Sequence, residues 1–220
     1  MSLVLYAHPL SAFCWKALTA LYETKLPFTF ELVDFSDSAS RDRFLAMWPV
    51  GKFPVLRDTA RDLMIPEASL IVEYVDQLVR GGLVPSDPDR AREVRFWDRF
   101  YDLYVAQQMQ KAITDGLRPE RQRDRLGVEQ AEVQIRTAYD WAEAAMRRRA
   151  WAAGDDFTMA DCAAAPALYY ADWIIPIGAQ HPALADYFAR LKARPSFARA
   201  LEEAGPYLHM VPRARTPVSA

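Results

Sequence analysis

The pattern of apolar and polar positions changes character once along the chain, near residue 80. Before that point, short runs of different period follow one another. Leu3 to Ala7 is apolar without clear alternation and is followed by His8-Pro9, which predicts a short strand buried on both faces. Ser11 then precedes AFCWKALTALYE, where Phe13, Ala17, Leu18 and Leu21 recur at helical spacing, so Ser11 stands at a natural N-cap. Pro27 to Val33 alternates and is rich in β-formers, a second strand. A short helical stretch from Arg41 to Met47 leads through Trp48-Pro49-Val50-Gly51 to Phe53-Pro54-Val55-Leu56. A polar turn and Leu63-Met64-Ile65 follow, which together read as a hairpin. Glu67 to Leu78 places Leu70, Ile71, Tyr74, Val75 and Leu78 on one helical face. The predicted order is β-α-β-α-β-β-α within residues 1–80.

Residues 81–88 (GGLVPSDP) break the helical pattern with the composition of an interdomain linker. After them nothing resembles a strand. Helical patterns run from Asp89 to Thr114, Gly127 to Arg149, Met159 to Trp173, Pro182 to Ala193 and Pro195 to Ala204. The expectation is an α/β domain over residues 1–80 and an all-α domain over 89–220, with a loose tail from Pro212 to Ala220.

Composition narrows the function. With 51% hydrophobic and 25% charged residues the chain has the balance of an ordinary globular protein. A formal charge of -2 argues against nucleic acid as the main partner, since phosphate binding needs a surplus of Lys and Arg. Cys14 and Cys162 lie far apart and neither belongs to a C-x-x-C pair, and His8, His181 and His209 are scattered, so no metal is expected. The N-terminal MSLVLYAHPLSAF reads as neither a signal peptide nor a membrane span, which predicts a cytoplasmic protein with reduced thiols. The basic stretches Arg118 to Arg125 and Arg147 to Arg149 are interspersed with acids or end a helix, and read as solvated charge.

Four segments carry more specific information. Tyr6 to Lys16 (YAHPLSAFCWK), Gly51-Lys52-Phe53-Pro54-Val55-Leu56, Glu67 with the helix after it, and Phe157-Thr158-Met159-Ala160-Asp161 resemble, in that order and spacing, motifs of the glutathione S-transferase superfamily. The first is similar to the opening of its serine-using bacterial and plant classes. The resemblance covers nearly the whole chain and implies a thioredoxin-like N-terminal domain that holds glutathione, followed by the all-helical domain. A cis Phe53-Pro54 bond would turn the N–H and C=O of Phe53 outward, and an X-Pro bond is the one place where cis costs only about 0.5–1 kcal/mol. An ordinary trans proline at a strand start is the alternative. The resemblance implies that Phe53 pairs with the cysteinyl backbone of glutathione, a form of strand addition.

Glu67 opens a helix, where free N–H groups attract a carboxylate while the Glu side chain can hold an ammonium group. The γ-glutamyl end of glutathione offers both. This chain departs from the family in having Ala68 after the Glu, where Ser is usual; a hydroxyl comes one residue later at Ser69. Lys52 is implied to reach the glycyl carboxylate. Ser11 is the expected activator of the thiol, with Tyr6 as the rival hydroxyl. Lowering a thiol pKa by two units takes roughly 2.7 kcal/mol. One hydrogen bond to a charged group supplies about 1.5–3 kcal/mol. Cys14 reads as a buried structural thiol, and Thr158 and Asp161 as a helix capping pair.

The first long helix of the second half carries an aromatic stripe, of which Tyr101, Tyr104 and Gln108, with Trp173, are expected to line an apolar pocket for the second substrate. The implied activity is that of a glutathione transferase acting on an electrophilic, mostly apolar small molecule, with detoxification as its setting and a homodimer as its assembly. A glutathione-dependent isomerase or dehalogenase, or a non-catalytic glutathione-binding or scaffolding protein, are the alternatives on the same fold.

Overall fold

The computed structural model describes residues 2–211; the tail from Pro212 to Ala220 lies outside the described residues. The chain begins with β1 (Leu3–Ala7), α1 (Ala12–Thr24), β2 (Phe28–Leu32), α2 (Ser38–Met47), β3 (Val55–Asp58), β4 (Leu63–Pro66) and α3 (Ala68–Val79). The four strands form one mixed sheet in the order β2-β1-β3-β4. β1 pairs in parallel with β2, with Leu5 opposite Phe30, and antiparallel with β3, where Leu5 faces Leu56. β3 and β4 close the hairpin, with Leu56 opposite Ile65. This is the thioredoxin-like β-α-β-α-β-β-α order read from the sequence, and an all-helical domain follows it.

β1 departs from its expected burial on both faces. Leu3, Leu5 and Ala7 are buried while Val4 and Tyr6 are only partly covered. The reason lies in what covers each side. The first face packs against α1 and α3, in the core that holds Trp15, Leu21, Ile71 and Val75. The second is roofed by α2 alone, through a small cluster of Val33, Phe44 and Val55.

The helical half comprises α4 (Pro88–Phe100), a π-helical segment (Tyr101–Ala106), α5 (Gln107–Asp115), α6 (Arg125–Met146), α7 (Met159–Asp172), α8 (Pro182–Ala193) and α9 (Pro195–Ala204). Short 3-10 turns stand at Glu120–Gln122 and Gly205–Met210. The turn-rich stretch before α4 is tightly held. Asp76, near the end of α3, accepts from the backbone N–H of Leu83 (2.9 Å) and Val84 (3.1 Å), and Leu83 C=O accepts from Met159 N.

One apolar core runs through both halves, with Trp15 fully buried between them. Its ring stacks on Tyr170 of α7 (4.8 Å between centroids) and meets the edge of Phe197 of α9. Beside this core lies a buried ionic cluster. Lys16, 1% exposed, sets its Nζ 2.6 Å from Asp98 Oδ1 of α4 and 2.7 Å from Asp102 Oδ2 of the π-helical segment. Burying them is tolerable because Lys16 faces both carboxylates, Arg99 brings a second cation to within 3.8 Å of Asp102, and Ser69 shares hydrogen bonds with all three.

Candidate functional site

The loop from β1 to α1 is anchored from both halves of the chain. Ser11 N–H donates to His8 C=O (3.1 Å), which closes the turn, and Trp15 Nε1 donates to Pro9 C=O (2.5 Å) from inside the core. Tyr170 Oη donates to Leu10 C=O (2.9 Å) from α7, so the second half of the chain also holds the loop. Ser11 is in extended conformation at the N-cap of α1, as expected, and its Oγ accepts from Cys14 N–H (3.3 Å). Its O–H can donate in turn, to the Cys14 sulfur or to a ligand, at the positive end of the α1 dipole.

Ser11 stands on the wall of a cavity of about 300 Å³, together with His8, Phe13, Phe53, Met109, Ile113 and Tyr170. The Phe53-Pro54 peptide bond is cis, as the sequence led us to expect. The Phe53 ring lies nearly parallel to His8, 5.8 Å between centroids. Gly51, just before, has φ +67, which L side chains rarely adopt. Lys52 is exposed to solvent.

Glu67 has φ 72 and ψ 124 at the N-cap of α3, and its side chain makes no capping bond. A non-glycine residue at positive φ is uncommon and clusters at functional sites. The side chain is exposed, Ala68 is buried, and the first turn of α3 has no side-chain cap. Ser69 is placed elsewhere than the sequence suggested. Its Oγ accepts from Lys16 Nζ (2.7 Å) and lies 2.8 Å from Asp98 Oδ2 and 3.3 Å from Asp102 Oδ2. That hydroxyl belongs to the buried ionic cluster, so it does not replace the missing hydroxyl at Ala68.

The other expected lining residues need correction. Tyr6 lies on the α2 face of β1, 6.5 Å from Phe44 between ring centroids, and lines a different cavity with Arg43 and Arg57. Strand alternation sets this: Leu5 and Ala7 take the α1 face, and Tyr6 takes the other. Tyr101 is fully buried against Trp97, Phe100 and Tyr187. Tyr104 is 45% exposed against Phe100, Gln108 Nε2 donates to Leu103 C=O, and Trp173 packs on Tyr169 and Tyr170. None of them lines the Ser11 cavity.

For the residues of the first long helix, the π-helical segment sets this placement. Its i→i+5 bonding lets the inward face advance by four at each turn, through Trp97, Tyr101, Val105, Met109 and Ile113, without the step of three that an α-helix requires. Met109 and Ile113 therefore reach the cavity, and Gln108 does not. His8 and Tyr170 were also missed. The HPLS turn carried a signal for His8, whereas Tyr170 comes from a helix 160 positions away from its partner Leu10.

Neither thiol opens on the cavity. Cys14 is fully buried, its Sγ accepts from His8 N–H (3.5 Å), and burial pushes its pKa up to about 12. Burial likewise raises the pKa of Cys162. Thr158 and Asp161 form the expected capping box at the start of α7. Among the described residues no group of three or more His, Cys, Asp or Glu side chains is placed to hold a metal ion, and no helix is long and apolar enough to cross a membrane.

Comparison with known proteins agrees with this arrangement. Residues 5–82 match the family described as glutathione S-transferase, N-terminal domain, and residues 120–190 match glutathione S-transferase, C-terminal domain. The chain is 28% identical over 185 residues to glutathione S-transferase GstB of Escherichia coli, covering 82% of this chain and 88% of that protein. It is 27% identical over 217 residues to FtsZ-localized protein A of Caulobacter vibrioides, covering 93% and 92%. A glutathione S-transferase from Methylobacillus flagellatus, solved with GSH bound, superposes with a TM-score of 0.80 at 25% identity, covering 90% of this chain and 98% of that one. With both domain families matched in order, a thioredoxin-like half joined to a helical half, and a cis Phe53-Pro54 bond beside Ser11, the chain belongs to the glutathione S-transferase superfamily.

Proposed function

We propose that this chain is a glutathione transferase: it binds glutathione along Phe53, Glu67 and Ala68 and uses the Ser11 hydroxyl to stabilise the thiolate for attack on an electrophilic, mostly apolar small molecule. The observation that carries this reading is Ser11 itself. Its Oγ accepts from Cys14 N–H and stands on the wall of the cavity that Phe53 shares. A donor fixed at a helix N-terminus and aimed where negative charge develops is the arrangement that stabilises an anionic nucleophile. The outward N–H and C=O of Phe53 serve the cysteinyl backbone, the first turn of α3 serves the γ-glutamyl carboxylate, Glu67 its ammonium, and Lys52 the glycyl carboxylate.

The accompanying reading is a cytoplasmic homodimer engaged in detoxification, divided into residues 1–80, a linker at 81–88 and a helical domain at 89–220. Leu63, Met64, Leu70, Phe96 and Tyr104, all exposed and all from β4, α3, α4 and the π-helical segment after it, support a dimer surface. An isomerase or dehalogenase would use the same thiolate on a more specific substrate.

A binding titration and a turnover measurement test the proposal. Glutathione should bind with an affinity that Glu67→Ala abolishes, read by calorimetry near neutral pH. Ser11→Ala should then keep binding and lose turnover by about 10²-fold or more, the scale of one donor to a developing anion. A second reading, a non-catalytic scaffolding protein that keeps the fold for another partner, is favoured by Ala68 and by the commitment of Ser69 to Lys16, which leave the γ-glutamyl carboxylate without a side-chain hydroxyl. No binding at millimolar glutathione would select it.

A further inference from the structure

His8 lines the same cavity as Ser11 yet has no part in the reading above. Its ring is fixed on two sides. Leu10 N–H donates to Nδ1 (3.2 Å), so Nδ1 is an acceptor and, in the neutral ring, the proton sits on Nε2. The ring plane is held within 22° of Phe53. Nδ1 adjoins the ring's attachment to the main chain and is taken by the loop, which leaves Nε2 on the outer edge. The loop itself is clamped at Pro9 by Trp15 and at Leu10 by Tyr170.

We propose that His8 is the second thiolate donor of the site: its Nε2–H and the Ser11 O–H converge on the glutathione sulfur, and the pair together holds it ionised. This rests on the transferase reading. The step is an S–H ionisation in which the proton leaves to solvent and the electron pair stays on sulfur; neither donor gives up its hydrogen. The neutral imidazole that this requires is the form the surroundings favour. Burial lowers the pKa of His8, opposed by the Asp34 carboxylate from the turn after β2, and protonating Nδ1 would set it against Leu10 N–H. The other titratable neighbour in direct contact, Cys14, accepts from His8 N–H and stays a thiol. Two donors that need no rearrangement lower a thiol pKa more than one, as hydrogen bonds to the charged form do generally.

The test is an ultraviolet titration of thiolate absorbance for glutathione bound to the wild-type protein, His8→Phe and His8→Gln. His8→Phe keeps a flat ring on Phe53 and removes the donor; His8→Gln keeps an N–H near the Nε2 position. Affinity for S-methylglutathione, which has no ionisable thiol, checks that each variant still holds the tripeptide. The expected result is a bound-thiol pKa about one unit higher in His8→Phe, equal to about a tenfold loss of thiolate at pH below it, with His8→Gln close to wild type. Equal pKa values in all three proteins, or equal shifts in both variants, overturn the role of His8 while leaving that of Ser11 standing. A wild-type protein that leaves the thiol at its free value overturns both.

Discussion

Ser11 and Cys14, three residues apart at the start of α1, carry similar chemistry into opposite surroundings. The hydroxyl faces a cavity, whereas the thiol is sealed in the core with its pKa pushed up to about 12. We therefore expect neither Cys14 nor Cys162 to react with a thiol reagent at pH 8 in the native protein, and two thiols to appear once denaturant is added. Fast labelling of one thiol before unfolding would contradict the burial described. Ser11, Phe53-Pro54 and Glu67 were legible in the sequence because each is a local motif: an N-cap, an X-Pro bond, an acid opening a helix. Ser69 and Tyr6 were not. The direction of a side chain depends on strand parity and on distant partners, and those of Ser69 lie 29, 33 and 53 positions away.

Among the elements, α7 owes its start to Asp161. Its carboxylate accepts from Thr158 N–H (2.8 Å), Ala152 N–H (2.8 Å) and Tyr187 O–H (2.6 Å), all buried. Asp161→Ala orphans those donors at about 1–3 kcal/mol for each one left unsatisfied. A loss of about 3 kcal/mol would lower the melting temperature by roughly 6–12 °C in a chain of this size. Calorimetric scanning reads this, and an unchanged transition would refute it. α5 makes a different prediction. Ile113→Trp should fill the cavity and cut turnover of bulky electrophiles while glutathione affinity holds, whereas Gln108→Ala should change neither. Periodicity placed most helices in this half to within a few residues, but it carries no mark of a π-helical segment, which shows only in backbone bonding. The position of Gln108 off the cavity follows from that one turn, whereas Trp173 stands at the end of α7 and is placed by its packing on Tyr169 and Tyr170.

For the whole molecule, the two halves are joined by charge as well as by the apolar core. Glu23 at the end of α1 receives both arms of the Arg194 guanidinium (2.8 and 2.7 Å) and the Ser196 hydroxyl (2.5 Å). Burial pushes the Glu23 carboxyl up, but these donors outweigh it and hold it below the usual range. A depressed carboxylate contributes stability above its unfolded pKa of about 4.3 and loses it as pH falls through the folded value. The urea midpoints of wild type and Glu23→Gln should therefore differ at pH 7 and converge only as pH falls below about 4; a constant gap would disprove the link. Lys16 is a buried tie, and it bears on exchange between relatives. Its ammonium comes from the first half and its counter-charges, Asp98 and Asp102, from the second. A lone ammonium in that place would destabilise by about 3–5 kcal/mol. A chimera that grafts a relative's helical half onto this first half must bring acids at both places or exchange Lys16 for an apolar residue. Lys16 and its two acids thus act as a lock and its matching key, so an exchange of halves is constrained at this buried side chain as well as at Glu23 and the shared core.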